Sequence, residues 1–146
     1  MASTDHTTQF ERMDIEECLH LLEAEDVGRL AIVQGNVPII FPVNYVLDGD
    51  SIVFRTAPGT KHTHGDGALV AFEIDHLSRE DREGWSVVVT GRLDEVTPTD
   101  ATELERLRRL PLEPWAGGVR DHWMRLDLGI VTGRRVGPPS EPTHAP

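Results

Sequence analysis

The sequence is poor in cysteine, lysine and aromatic residues, and it has no long apolar run. Its single cysteine, Cys18, rules out an intramolecular disulfide and fits a reducing compartment. No stretch approaches the roughly 20 apolar residues that span a bilayer, and the first residues lack the basic start and apolar block of a signal peptide. We therefore expect a cytoplasmic protein with no membrane partner.

Positive charge is scarce as well. Lysine and arginine number 14 against 25 aspartates and glutamates, which gives a net charge of −11. A nucleic-acid-binding face must be basic, so we expect no nucleic-acid partner. A chain of 146 residues suits one domain. We assign residues 1–12 to a flexible N-terminus, 13–136 to that domain, and 137–146, with four prolines, to a disordered tail.

What the chain does contain is a series of short β-type segments joined by turns. A helix precedes them, because Asp14 and Glu17 have the spacing of a capping box and an apolar stripe follows. Cys18 lies on that stripe and is predicted to be a core thiol. Strands are predicted at 29–33, 37–47, 51–56, 68–75, 85–96, 121–126 and 130–136, with a second helix after Asp100. The predicted fold is mainly β, an antiparallel barrel of six or seven strands with helical plugs.

The strand predicted at 37–47 is apolar on both faces, and Asn44 interrupts one of them. A strand buried on both sides in an antiparallel sheet indicates a barrel covered from outside by a helix or a second subunit. Pro42 has no N–H to donate and therefore marks an edge or a bulge. Near that break, Asn44 either satisfies a backbone group or presents its amide to a ligand, and both interpretations stay open.

The most distinctive stretch is 51–65, SIVFRTAPGTKHTHG, which contains no Asp or Glu. It holds Arg55, Thr56, Thr60 and Lys61, the only lysine of the chain. A helix starting at Thr60 would present free N–H groups to an anion, and a lysine in its first turn opposes the helix dipole unless an anion lies in front. The pattern favours a phosphate site, with an ordinary turn bearing surface cations as the alternative.

The other candidate residues have weaker patterns. His62 and His64 lack a third ligand at zinc-site spacing, so no metal site is predicted. Trp85, Trp115 and Trp123 suit core or interface packing, or contacts to a planar cofactor. The usual nucleotide, protease and hydrolase motifs are absent from the sequence.

Several segments together carry a family resemblance. They read, in order between residues 14 and 136, VGRLAIV, PIIFPVNYVLDGD, IVFRTAPGTK, ALVAFEID, GWSVVVTGR, RLPLEPWA and RDHWMRL. With these segments the chain resembles the pyridoxamine 5′-phosphate oxidase-like flavin-binding split-barrel superfamily. The resemblance is to its small actinobacterial-type members, which are related to nitroimidazole-resistance proteins.

The resemblance implies a homodimer of six-stranded split barrels with flavin mononucleotide (FMN) at the subunit interface. By the same resemblance, the phosphate would be held by Arg55, Thr56, Thr60 and Lys61, and the flavin ring would be lined by Pro42, Val43 and Asn44. Trp85 and Ser86, of either subunit, would flank the ring. Arg120 and Trp123 would close that side of the site. Relatives continue after the lysine with an apolar helix, whereas this chain has HTHGDG at 62–67. Two glycines weaken a helix there, which implies a looser phosphate site or a different cofactor.

The function implied by the resemblance is that of an FMN-dependent oxidoreductase acting on a small organic substrate. The flavin would supply the chemistry and the protein would orient it. No general acid or base is assigned. Two alternatives stay open: a deazaflavin-dependent reductase of the same fold, and a flavin- or haem-binding sensor module without turnover.

Overall fold

The computed structural model describes residues 9–57, 59, 65–97, 101–113, 115 and 122–138. Within them it contains nine strands and two helices. In chain order these are β1 (Gln9–Met13), α1 (Ile15–Ala24), β2 (Val27–Gln34), β3 (Val37–Asn44), β4 (Val46–Asp48), β5 (Ser51–Thr56), β6 (Leu69–Ser78), β7 (Glu83–Glu95), α2 (Ala101–Arg108), β8 (His122–Asp127) and β9 (Ile130–Gly137).

The predicted mainly β, antiparallel fold is confirmed, and the strands outnumber the predicted six or seven for two reasons. The segment predicted as one strand at 37–47 is two strands, because the chain leaves the sheet at Tyr45. Residues 9–12, part of the predicted flexible N-terminus, pair with the last strand as β1.

The sheet is organised around β7, which at 13 residues is the longest strand. The strands of the sheet follow the order β3-β2-β6-β7-β8-β5-β4, and all of the pairs are antiparallel. One edge of β7 pairs with β6. The other edge pairs with β9 over residues 84–90 and then with β8 over residues 93–95. This change of partner along one strand gives the barrel its split form.

Helix α1 packs its apolar side against the core of the barrel. The Asp14 carboxylate accepts a hydrogen bond of 2.9 Å from the Glu17 backbone N–H, as the capping-box spacing predicts. Cys18 and Leu22 are buried, which confirms the core thiol. Burial, with the charges of Glu17 and Asp14 in support, raises the pKa of the Cys18 thiol, so the group is unreactive. Gly133 lies under the Cys18 sulfur, where a side chain would collide with it.

A second, smaller core lies between α2 and the outer side of β5 and β8. Leu107 of the helix packs there with Val53, Leu112 and Trp123. Charged groups surround this contact: Arg106 donates to both carboxylate oxygens of Asp48, at 3.0 and 2.9 Å. Helix α2 is therefore held to β4 by an ion pair as well as by apolar packing.

The opposite part of the sheet, formed by β3, β2 and β6, presents an outer face that is charged at one end and apolar at the other. At the charged end Arg29 pairs with Glu73 and Asp75, at 3.2 and 3.3 Å. At the apolar end Ile40, Val33 and Leu69 are 65%, 60% and 77% exposed. A shallow groove of about 220 Å³ lies beside Val33 and Leu69 and is lined in part by Ala31, Pro38 and Ala71. We call this surface the outer face. The sequence predicts that a helix or a second subunit covers this face. Neither helix formed by the described residues does so.

Candidate functional site

The site is built on the point where β3 and β4 part. Tyr45, between them, is buried, and its hydroxyl donates a 2.7 Å hydrogen bond to the Leu22 carbonyl in α1. Its backbone N–H donates to the Asp26 carbonyl at 3.0 Å, and its ring meets Phe72 edge-on, with 4.9 Å between centroids. These contacts pull Tyr45 inward, so that the preceding residue, Asn44, is left at the open edge of β3.

Asn44 lines a cleft of about 220 Å³ between the end of β3 and the segment that follows α2. Its Oδ1 accepts a 2.8 Å hydrogen bond from the Trp115 backbone N–H. The other lining residues are Asp26, Tyr45, Pro111, Leu112, Glu113 and Trp115. Because the carbonyl end of the Asn44 side chain is engaged, the side chain offers its amide N–H groups to a ligand.

Arg55 lies on β5, a strand that contacts β3. The Arg55 guanidinium lies 4.9 Å from the ring centroid of Trp123, its register partner on β8. Trp123 is only 5% exposed, so a nearly fixed ring orients the arginine. Leu112, which lines the cleft with Asn44, packs in the same small core as Trp123. Leu112 therefore connects the cleft at Asn44 with the pair of Arg55 and Trp123.

The other residues grouped by the family resemblance are divided between the two faces of the sheet. Pro42 is exposed on the same face as Asn44, whereas Val43 is buried in the core and offers the site only its backbone. Thr56 also faces the core: it is 1% exposed, and its hydroxyl donates to the Ala57 carbonyl at 3.0 Å. The opposite directions expected for Arg55 and Thr56 are therefore observed.

Trp85 and Ser86 lie on β7, separated from Asn44 in the sheet by β2 and β6. They face opposite sides. Trp85 packs against the core on the inner side, and Ser86 points to the outer face. One ring cannot lie against both side chains of a single strand. Thr60, Lys61 and Arg120, together with His62 and His64, fall outside the described residues.

Sequence reasoning missed a histidine–carboxylate pair beside Thr56. His122, the register partner of Thr56, has its Nδ1 2.6 Å from Oε1 of Glu95. The Glu95 backbone N–H donates in turn to Asp66 at 2.8 Å. The first contact joins residues that are 27 positions apart in the sequence, and the second joins residues 29 positions apart. A local sequence pattern therefore cannot predict either contact. Tyr45 was missed for the same reason.

Comparisons with known proteins identify the family of the chain. The family model described as pyridoxamine 5′-phosphate oxidase matches residues 14–135. An uncharacterised protein of Mycobacterium tuberculosis, Rv0080, is 33% identical over 92% of this chain and 91% of its own. The chain belongs to the pyridoxamine 5′-phosphate oxidase family.

Solved structures of the family have the same fold. The FAD-binding protein of Mycobacterium smegmatis is 34% identical, with a TM-score of 0.73 over 86% of this chain and 98% of that one. A candidate 5-nitroimidazole antibiotic resistance protein of Bacteroides thetaiotaomicron is 13% identical, with a TM-score of 0.70 over 90% of each chain, and shares the fold alone. Neither helix in the described part of this family member is long and apolar enough to cross a bilayer. No three potential metal ligands gather among the same residues.

Proposed function

We propose that this protein binds a flavin nucleotide at the break between β3 and β5 and uses it as an oxidoreductase on a small organic molecule. The observation that carries the proposal is that Leu112 connects the cleft at Asn44 with the cation–π pair of Arg55 and Trp123. A guanidinium suits a phosphate, and an amide donor suits the carbonyl and nitrogen acceptors of the flavin ring. The residues present therefore fit the cofactor.

Each of these residues would have a distinct part in binding. Arg55, oriented by Trp123, would bind the phosphate together with Thr60 and Lys61 of the acid-free stretch. Asn44, whose orientation the Trp115 backbone N–H fixes, would donate to the ring, with Pro42 beside it on the same face. The bound flavin would supply electron transfer, and the protein would position it and exclude water.

The cofactor is FMN by family resemblance, whereas the similar M. smegmatis protein is described as FAD-binding. Both molecules share the ring, the ribityl chain and the first phosphate, which are the groups that the cleft residues would hold. A deazaflavin with a polyanionic tail would require more cations than Arg55 and Lys61 supply. Mass spectrometry of the ligand released from purified protein distinguishes the three.

The second wall of the site would come from a second copy of the chain. The cleft of about 220 Å³ is smaller than the roughly 300 Å³ at which ligand sites begin. The apolar end of the outer face is uncovered among the described residues, and Ser86 points to the same face at its charged end, where it is paired with Asp75. A homodimer formed through this face would cover it and bring Ser86 of one protomer toward the ring held by its partner.

Arg55→Ala tests the cofactor site. We expect native protein to purify yellow, and the variant to bind flavin about 10- to 100-fold more weakly, as loss of a charged hydrogen bond predicts. The measurement is titration of the apoprotein with FMN and with FAD, followed by fluorescence quenching. Arg79→Ala, which removes an exposed arginine in the turn between β6 and β7, is the matched control and should bind normally. Colourless native protein that binds neither flavin would contradict the proposal.

Turnover is tested separately on the yellow protein. Photoreduction followed by mixing with candidate acceptors should reoxidise the flavin at a rate that depends on acceptor concentration. If the reduced flavin reacts no faster than free reduced flavin with every acceptor tried, the oxidoreductase part of the proposal is wrong, and a binding or sensing role is left.

A further inference from the structure

A second concavity in the described part of the chain lies away from the flavin cleft. It has a volume of about 470 Å³, within the usual range of small-molecule sites, and it opens at one end of the inner side of the sheet. It is lined by Glu11, His76, Ser78, Asp81, Glu83, Gly84, Trp85, Arg135, Val136, Gly137 and Pro138. No residue of the flavin cleft is among them.

The floor of this inner cavity is a row of directly paired residues on four neighbouring strands. Glu11 of β1 is paired with Arg135 of β9, Arg135 with Trp85 of β7, and Trp85 with His76 of β6. The next row inward, which runs from Met13 to Ile74, belongs to the closed core. The cavity is thus the part of the inner side that the core residues leave unfilled. Its floor is fixed by the pairing of β1, β9, β7 and β6.

The charge of the inner cavity favours a cation. Three carboxylates, of Glu11, Asp81 and Glu83, line it. Arg135 is also present, but its guanidinium forms an ion pair with Glu17 of α1, which offsets its charge. With a net charge of −11 on the chain, an anionic cofactor would be repelled from this position.

Two features indicate what kind of cation would fit. Trp85 supplies an indole surface, which attracts ammonium groups beyond simple charge attraction. Neither Glu11 nor Glu83 forms a hydrogen bond or ion pair with another described side chain, so both are available to a ligand; the Asp81 carboxylate, by contrast, accepts from the Ser78 hydroxyl at 3.2 Å. We propose that the inner cavity is a second ligand site, which binds a small organic cation between Trp85 and the carboxylates of Glu11 and Glu83.

The test is calorimetric titration of the full chain, with whatever cofactor it carries, using benzyltrimethylammonium as the probe and benzyl alcohol as its neutral counterpart. We expect one cation per chain with a Kd below about 1 mM at low ionic strength, and at least about tenfold weaker binding of the alcohol. Failure of the cation to bind, or equal binding of both probes, would overturn the proposal.

Variants then locate the binding. The double substitution Glu11→Gln and Glu83→Gln should weaken cation binding about tenfold or more, while Glu105→Gln on α2 should leave it unchanged. Gly137→Leu should block the cavity, since a side chain there points toward Glu83 without collision, its first carbon standing 3.4 Å from the Glu83 Cβ. If Gly137→Leu does not fold, the paired glutamine variant decides. Displacement of the probe by excess FMN, or binding unaffected by the glutamine pair, would show the assignment to be wrong.

Discussion

Tyr45 is the residue on which the shape of the flavin cleft depends. The last carbonyls of a helix have no intrahelical partner, and the Tyr45 hydroxyl satisfies that of Leu22. The same side chain is inserted beside Phe72, so the chain turns inward between β3 and β4. Burial, with the charges of Glu25 and Asp26 in support, raises the Tyr45 pKa above its ordinary value.

Tyr45→Phe should lower the free energy of unfolding by about 1–3 kcal/mol, because the Leu22 carbonyl loses its partner. The raised pKa gives a second signature. Below about pH 10 the phenol is protonated in both states; above it the unfolded chain ionises first, so native stability falls as pH rises. The variant should lose less stability between pH 9 and 11. Urea unfolding followed by circular dichroism measures both effects, and identical midpoints at neutral pH would contradict the first.

At this scale the sequence predicted individual residues unevenly. Arg55 and Asn44 stood out because each is a polar group in an apolar or acid-free surrounding, and they lie on two strands that contact each other. Tyr45 did not, since its role depends on α1, 23 residues earlier in the chain. Trp85 and Ser86 were grouped by the family resemblance, and as adjacent residues of a strand they face opposite sides.

At the scale of elements, the attachment of α2 to the barrel depends on a network of charged side chains. Arg106 pairs with Glu103 within the helix and with Asp48 on β4, and Arg125 of β8 reaches both carboxylates. The hydrogen bond from Arg106 holds the pKa of Asp48 below its usual value, against the opposing effect of burial. A carboxylate with a lowered pKa stabilises the fold above its unfolded-state value near 3.9 and loses this contribution as pH falls.

Asp48→Asn should lower the free energy of unfolding by about 1–2 kcal/mol at pH 7, since charge-assisted hydrogen bonds to two arginines are weakened. The difference from native protein should shrink as pH falls through the lowered pKa of Asp48 and the carboxylate becomes protonated. Chemical unfolding at both pH values is the measurement. Glu105→Gln breaks the exposed pair with Arg109 and should cost less than about 0.5 kcal/mol. Equal losses in the two variants would mean that the network does not hold the helix.

The strands themselves were largely predictable because their signals are local. Alternation and turn residues placed all seven predicted strands in positions where the structure has one, and the capping box placed α1. The long pairing of β7 with three partners was not predictable. Which strands meet along its edges depends on contacts between distant parts of the chain, and a hydrophobic pattern records only which side of a strand is buried.

At the scale of the whole molecule, the outer face and its occupant matter most. Ile40→Glu places a charge at the apolar end of this face and should convert the proposed dimer into a monomer, with loss of flavin as the site loses its second wall. Light scattering after gel filtration should give about twice the 16.3 kDa of one chain for native protein and one chain for the variant.

Ile15→Glu is the matched control, because it makes the same exchange at an exposed position of α1, where an acid at the helix start is favourable. It should leave the assembly intact. A native protein that elutes as a monomer, or a flavin-loaded Ile40→Glu monomer, would contradict the proposed dimeric site.

The position of β9 has a consequence for biosynthesis. This strand pairs with β1, the earliest strand described, and with residues 84–90 of β7. Since a ribosome delivers the chain from its N-terminus, both partners emerge long before it and present unpaired edges in the meantime. Such edges recruit strands from other chains. Translation through Ile130–Gly137 therefore sets how long the nascent barrel is open to aggregation, and holding the chain in a chaperone until that strand is released should raise the yield of folded protein.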